Sequence, residues 1–234
     1  MLTHTLGCLG AALSMTLPWP QVLKACVQRR TSGLSATGSA LGAALPIGWI
    51  TYGWLSGVHL QIVTNVVTGT AGLAIMVALL ATQPSMRSGR TLRLTAAAAA
   101  LVVAPVLLSG LATAVPGVRP SHVASLLGLV LAGVSVIAAV PQPLSLLRNP
   151  RQELSGLSPA RWWMTVGATV SWLLYGLGTG QPAVWASATV GLVSALIVCT
   201  VLHLRRERSS VAIAAGAPRW RDSVTTRPIA MAGL

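Results

Sequence analysis

The chain has 234 residues, of which 53% are hydrophobic and only 8% charged, and its mean hydropathy is +0.73. A water-soluble domain carries about 25% charged residues, so this composition excludes one. The 16 Lys+Arg against 3 Asp+Glu give a formal charge of +13, which would suit nucleic acid only if the bases shared a soluble surface. No stretch supplies such a surface, and no nucleic-acid partner is expected.

A helical span takes roughly 20 mostly apolar residues. In chain order such stretches fall at 6–27, 34–55, 60–81, 94–115, 123–146, 160–178 and 182–204, joined by short connections with Arg, Gly, Pro or Ser. Transmembrane strands would alternate in segments of roughly ten residues, and runs such as 94–108, with five consecutive Ala, do not. The expected fold is all-α, a polytopic membrane protein of seven transmembrane helices, with no room for a separate soluble catalytic domain. In the first stretch the earliest base, Lys24, follows the apolar core. A signal peptide carries its charge ahead of that core, so the stretch reads as a retained helix.

Cytoplasmic loops are enriched in Lys and Arg. Lys24, Arg29 and Arg30 lie between spans one and two, and Arg87, Arg90 and Arg93 between three and four. Arg148, Arg151 and Arg161 surround the fifth connection, and six more Arg follow the last span, leaving Arg119 alone on the other side. The expected topology is multi-pass in the cell membrane, N-terminus outside and C-terminus cytoplasmic, with anionic lipid headgroups as counter-charge. Residues 209–234 lack periodicity and read as a disordered basic tail.

The sequence also repeats itself. Pro20-Gln21, Ser32-Gly33-Leu34-Ser35 and Trp49-Ile50-Thr51-Tyr52-Gly53 return in order as Pro141-Gln142, Ser155-Gly156-Leu157-Ser158 and Trp172-Leu173-Leu174-Tyr175-Gly176. Three ordered blocks indicate duplication. The expected organisation is a three-helix repeat at 1–83, a linker helix at 84–119, a second three-helix repeat at 120–208 and the tail. The linker helix keeps the two bundles parallel.

The duplicated Pro-Gln pair, with Trp-x-x-Tyr-Gly on the next helix, resembles the PQ-loop superfamily, and within it the SWEET and SemiSWEET sugar transporters, here in a bacterial, duplicated 3+1+3 form. The likeness covers residues 6–204. It implies a pathway between two parallel bundles and facilitated diffusion by alternating access. It also implies a mid-membrane site made by a Trp on the second helix and an Asn on the third helix of each repeat. Carried onto this chain, those positions are Trp49, Asn65 and Trp172. The fourth falls on Ser187 if one residue is deleted before Pro182, a departure that makes the site asymmetric, because Ser offers one hydroxyl where Asn offers two donors and an acceptor.

The residue types suit that role without the likeness. A neutral polyol needs hydrogen-bonding groups for its hydroxyls and a flat apolar surface for its C–H face, and Trp with Asn supplies both. The alternatives are that Asn65 joins helices and that the Trp residues belong to interfacial belts. Prolines inside helices remove a hydrogen bond and kink the chain. Pro20, Pro46 and Pro141, with Pro18 and Pro143, are candidate hinges or static kinks, and Gln21 and Gln142 beside them could recap freed carbonyls or form an inner gate. Thr169 stands where the second repeat would match Pro46. Gly38-Ser-Ala-Leu-Gly42 suits close helix contact within the bundle or to a second protomer.

The acids are Glu153 in a loop and Glu207 and Asp222 near or in the tail. Proton-coupled carriers keep an ionisable group inside the membrane, so a uniporter is expected. His4, His59, His122 and His203 lie near span ends, and Cys8, Cys26 and Cys199 have no metal-ligand spacing. No cofactor, metal site or catalytic motif is expected. The leading expectation is a facilitative transporter of a small neutral solute, a mono- or disaccharide. Alternatives are a PQ-loop carrier of amino acids or other polar metabolites, and a non-transporting seven-helix receptor or scaffold.

Overall fold

The computed structural model describes residues 1–31, 34–148 and 159–214; for Pro141, Gln142, Ser145 and 208–214 only the helical backbone is described. Ser32, Gly33, Arg151, Glu153, the second Ser-Gly-Leu-Ser block at 155–158 and the chain from 215 onward lie outside the described residues. Among the described residues the regular elements are all helical.

Helix α1, Leu2–Thr16, ends where two prolines arrive. Neither Pro18 nor Pro20 has an N–H to donate backward, so the stretch expected as one span breaks. It continues as α2, Trp19–Val22, and a π-helical turn, Leu23–Val27, whose end is marked by Gln28 N donating to Leu23 O at 3.1 Å. Helix α3, Ala36–Ser56, starts on Ser35, whose Oγ accepts from the Gly38 N–H, and stops at Gly57 with φ +68°. That left-handed angle is one glycine adopts without strain. Helix α4, His59–Thr82, follows directly. A 3-10 turn, Pro84–Arg87, leads to α5, Gly89–Thr113.

The second half opens with α6, Pro120–Ala139, and α7, Pro141–Arg148, divided at the position where Pro18 and Pro20 divide the first half. Helices α8, Pro159–Gly178, and α9, Pro182–Ala214, complete the chain. Pro at the first helical position, as in α6, α8 and α9, loses a donor that would have no intrahelical partner anyway. Residues 209–214, expected as tail, are helical. Arg and Glu are good helix formers, so the helix outlasts its apolar part, and Arg205 Nη2 ties it to Leu146 O at 3.0 Å.

Among the described residues, four helical segments are long and apolar enough to cross a membrane: His59–Thr82, Gly89–Thr113, Pro120–Ala139 and Pro182–Glu207. The second helix of each half, α3 or α8, is less apolar because it carries Trp, Tyr, Gly, Ser and Thr. Large apolar side chains face outward all round, with Val77 64%, Leu107 63% and Leu126 67% exposed. An apolar surface of that extent belongs in lipid rather than water, and the protein is a multi-pass membrane protein.

Helix α4 packs between α1 and α3, and α9 packs between α6 and α8. The halves meet crosswise, α1 on α8 and α3 on α6, while α5 lies against α3 and α6. The core at this meeting includes Leu127, Leu131, Val134, Val102, Tyr52 and Tyr175. Gly72 of α4 is seated against the backbone carbonyl of Gly42 in α3, with no room for a side chain. The expected small-residue surface therefore works through Gly42, whereas Gly38 meets only the capping Ser35 of its own helix.

Candidate functional site

Trp49 of α3, Asn65 of α4, Trp172 of α8 and Ser187 of α9 come together, lining one cavity of about 250 Å³. Ser14 of α1 and Ser135 of α6 line it too, so six helices contribute. No ionisable side chain is in the lining among the described residues. Each Trp is braced by the Tyr one turn further along its helix. The Trp49 and Tyr52 rings lie 5.4 Å apart at 79°, and Trp172 and Tyr175 lie 5.5 Å apart at 88°. Edge-on pairs of this kind fix ring orientation.

The third helix of each half is set by a second matched contact. The place of a side chain on Gly69 lies 3.0 Å from Pro46 Cβ, and that on Gly191 lies 3.0 Å from Thr169 Cγ2. Pro46 and Thr169 thus occupy corresponding positions, each filling the hollow over a glycine. Pro46 is buried inside α3.

The polar groups do not match between halves. Asn65 Nδ2 donates to Gln61 O at 2.8 Å and to Gln61 Oε1 at 3.0 Å. Trp172 Nε1 donates across to Ser14 Oγ at 3.0 Å, whereas Ser135 donates to Leu131 O at 2.8 Å within its own helix. Ser187 likewise donates to Val184 O at 3.0 Å. Sequence reasoning missed Ser14, Ser135, Gln61, Thr64 and Thr68. A signal existed for three of them: Gln61, Thr64 and Thr68, with Asn65, form a polar stripe at helical spacing in an otherwise apolar helix. Ser14 and Ser135 share the 121-residue offset of the Pro-Gln pairs.

Beyond the cavity, toward the N-terminus of α1, the halves close on each other. A side chain on Gly128 would lie 2.9 Å from Tyr52 Cε2, and one on Gly7 would lie 2.7 Å from Tyr175 Cδ2. Each tyrosine is therefore packed onto a glycine of the opposite half. The Tyr52 hydroxyl donates to Gln181 Oε1 at 3.3 Å. At the other end the described hydrogen bonds stay within one half: Thr31 with Thr82 at 2.7 Å, Gln83 Nε2 to Thr31 O at 2.6 Å and Arg205 to Leu146 O at 3.0 Å.

The Pro-Gln residues lie outside the cavity lining. Pro20 is exposed and Gln21 half-buried, and the Gln21 side chain makes no hydrogen bond among the described residues. It therefore recaps none of the carbonyls freed by the prolines. Pro141 and Gln142 open α7, where only the backbone is described.

No protein-family model and no curated protein matches the sequence. The solved structure of a eukaryotic SWEET transporter superposes with a TM-score of 0.68 over 88% of this chain and 100% of that one, at 14% sequence identity. The chain has the SWEET fold. In it the cavity lies between the two halves, with the second and third helices of each half on its walls. The tyrosine–glycine contacts of this SWEET fold close one end.

Proposed function

We propose that the chain is a uniporter that carries a small neutral solute, a mono- or disaccharide, across the plasma membrane by alternating access. The single observation that carries this reading is the neutral cavity with Trp49, Asn65, Trp172 and Ser187 on its walls. Indole faces suit the C–H surface of a sugar ring, and amide and hydroxyl groups suit its hydroxyls. A buried charge would be needed for proton coupling, and the lining offers none. The volume of about 250 Å³ is below the roughly 300–1,000 Å³ of drug-sized pockets, which favours the monosaccharide.

In this reading residues 1–83 and 120–208 are the two moving repeats, 84–119 joins them and 209–234 is the basic tail. The Arg-rich ends face the cytoplasm and its anionic lipids, and the N-terminus faces outside. Tyr52 and Tyr175 then close the outer end, and the cavity communicates with the inner one. Pro20, Pro46 and Pro141 serve as hinges, with Gln21 and Gln142 beside them at the inner gate. The helix breaks at Pro18–Pro20 and before Pro141 support this, because a break concentrates bending at one place.

Uptake of radiolabelled monosaccharides and disaccharides into proteoliposomes, with and without a pH gradient, tests the proposal. Saturable sugar flux that ignores the gradient is the expected result. Flux only under the gradient would overturn the uniport mechanism, and flux of amino acids alone would overturn the substrate class.

A further inference from the structure

The donors in the cavity wall are unevenly spent. In the second half every polar group is committed. Thr169 donates to Thr165 O at 2.8 Å, Ser187 to Val184 O at 3.0 Å, and the Trp172 N–H to Ser14 at 3.0 Å. These oxygens can still accept a hydrogen bond, but none of these groups has a proton left to offer.

In the first half the Trp49 N–H and the Ser14 hydroxyl donate to nothing among the described residues, and one amide pair adds a further donor. A backbone carbonyl only accepts, so the contact to Gln61 O fixes Nδ2 as the arm of Asn65 that turns back into the helix. The same nitrogen also donates to Gln61 Oε1. Asn65 is thereby left with its carbonyl, and Gln61 with its Nε2 protons. Gln61 is only 6% exposed, yet its Nε2 donates to nothing among the described residues. No buried side-chain nitrogen or oxygen there lacks a partner, so this nitrogen reaches open space, and the space beside Gln61 is the cavity. The position corresponding to Gln61 in the second half, allowing for the one-residue deletion, is Ala183, which has no polar group.

We propose that Gln61 is the solute's amide donor, and that the transporter holds a monosaccharide along one edge, with its acceptor oxygens toward α4. Gln61 Nε2 donates to a solute oxygen and Asn65 Oδ1 accepts from a neighbouring hydroxyl. The opposite edge meets Val184, Ala188 and Gly191, whose side chains offer a hydroxyl oxygen no donor and where apolar character is tolerated. This rests on the transport reading above and goes beyond it by naming the recognising edge.

The test is proteoliposome uptake of glucose and its 2-, 3-, 4- and 6-deoxy analogues by the unsubstituted protein and by Gln61→Leu and Gln61→Glu. A lost neutral hydrogen bond corresponds to about a tenfold change. Expected for the unsubstituted protein is a split series: deoxygenation along one edge raises KM about tenfold, and along the other less than about twofold. Gln61→Leu and Gln61→Glu both raise KM for glucose about tenfold with kcat held, and both flatten the split. Gln61→Glu keeps the acceptor that holds Asn65 and removes the amide donor, so an unchanged KM in that variant would reduce Gln61 to a positioning residue and overturn the proposal. A uniform penalty at every hydroxyl would also overturn it while leaving sugar transport intact. Absence of sugar flux in the unsubstituted protein would instead remove the transport reading, and the edge assignment with it.

Discussion

The indole N–H of Trp172 reaches across the cavity to Ser14 Oγ at 3.0 Å, one of two described side-chain hydrogen bonds that join the halves, the other being Tyr52 to Gln181. A neutral bond of this kind contributes about 0.5–1.5 kcal/mol. Ser14→Ala should lower thermal stability in detergent by about that amount. In a Trp172→Phe background, where the bond is already gone, Ser14→Ala should add little further loss. A double-mutant cycle by thermal unfolding measures the coupling, and strict additivity would show that the bond contributes nothing.

Gly72 and Gly42 allow a sharper comparison. A methyl group on Gly72 runs into the Gly42 carbonyl, whereas one on Gly42 meets nothing within 4 Å. Backbone yields less readily than a side chain, so Gly72→Ala should destabilise by about 1–3 kcal/mol. Gly42→Ala should be neutral or slightly stabilising, because Ala is the better helix former by about 1 kcal/mol. Unfolding midpoints in one detergent decide the order of the two variants.

Closure of the tyrosine end can be weakened in two steps. Tyr52→Phe removes the bond to Gln181 and keeps the ring on Gly128, so it should shift the closed population by about tenfold at most. Gly128→Val places atoms where Tyr52 and Ala183 already sit, and should hold that end open. Spin-label distances between the start of α1 and the α5–α6 connection would report both shifts, Gly128→Val giving the larger.

With no ionisable group in the described lining, solute uptake should be flat between about pH 6 and 8, the range in which an unperturbed His changes charge. His203 is paired with Glu207 at 3.2 Å on an exposed face, away from the cavity. A rate profile with a midpoint in this range would mean that a histidine controls a step of transport.

Ser187→Asn places a free amide on the second-half wall. If the cavity binds sugar, KM for a fully hydroxylated hexose should fall by up to about tenfold, and uptake kinetics measure it directly. An increase would mean that the added bulk outweighs the new donor in so small a cavity.

The resemblance put Trp49, Asn65, Trp172 and Ser187 together, and they line one cavity; the duplication adds that a residue with a counterpart one repeat away has a predictable place in space. The one-residue deletion before Pro182 also fits, since it places Gly191 under Thr169 as Gly69 lies under Pro46. Gln61 escaped because it has no polar counterpart; only the polar stripe on α4 marks it. Pro18 and Pro20 marked a bend in the first span but not where α1 ends, and that end and the length of α9 escaped for another reason. Hydropathy reports where lipid is, whereas helix ends depend on backbone donors, and the two need not coincide. The tyrosine–glycine seats lay in plain view as Tyr52, Tyr175, Gly7 and Gly128, but a glycine's partner is a matter of tertiary packing.

The unequal partner pair Gln61 and Ala183 has a consequence for ancestry. A carrier assembled from two identical short chains must present the same wall twice, and any substitution is inherited by both. Joined in one chain, the walls are free to diverge: one keeps the amides, and the other accumulates small apolar residues. On the transport reading proposed above, discrimination can then change by altering one side at a time.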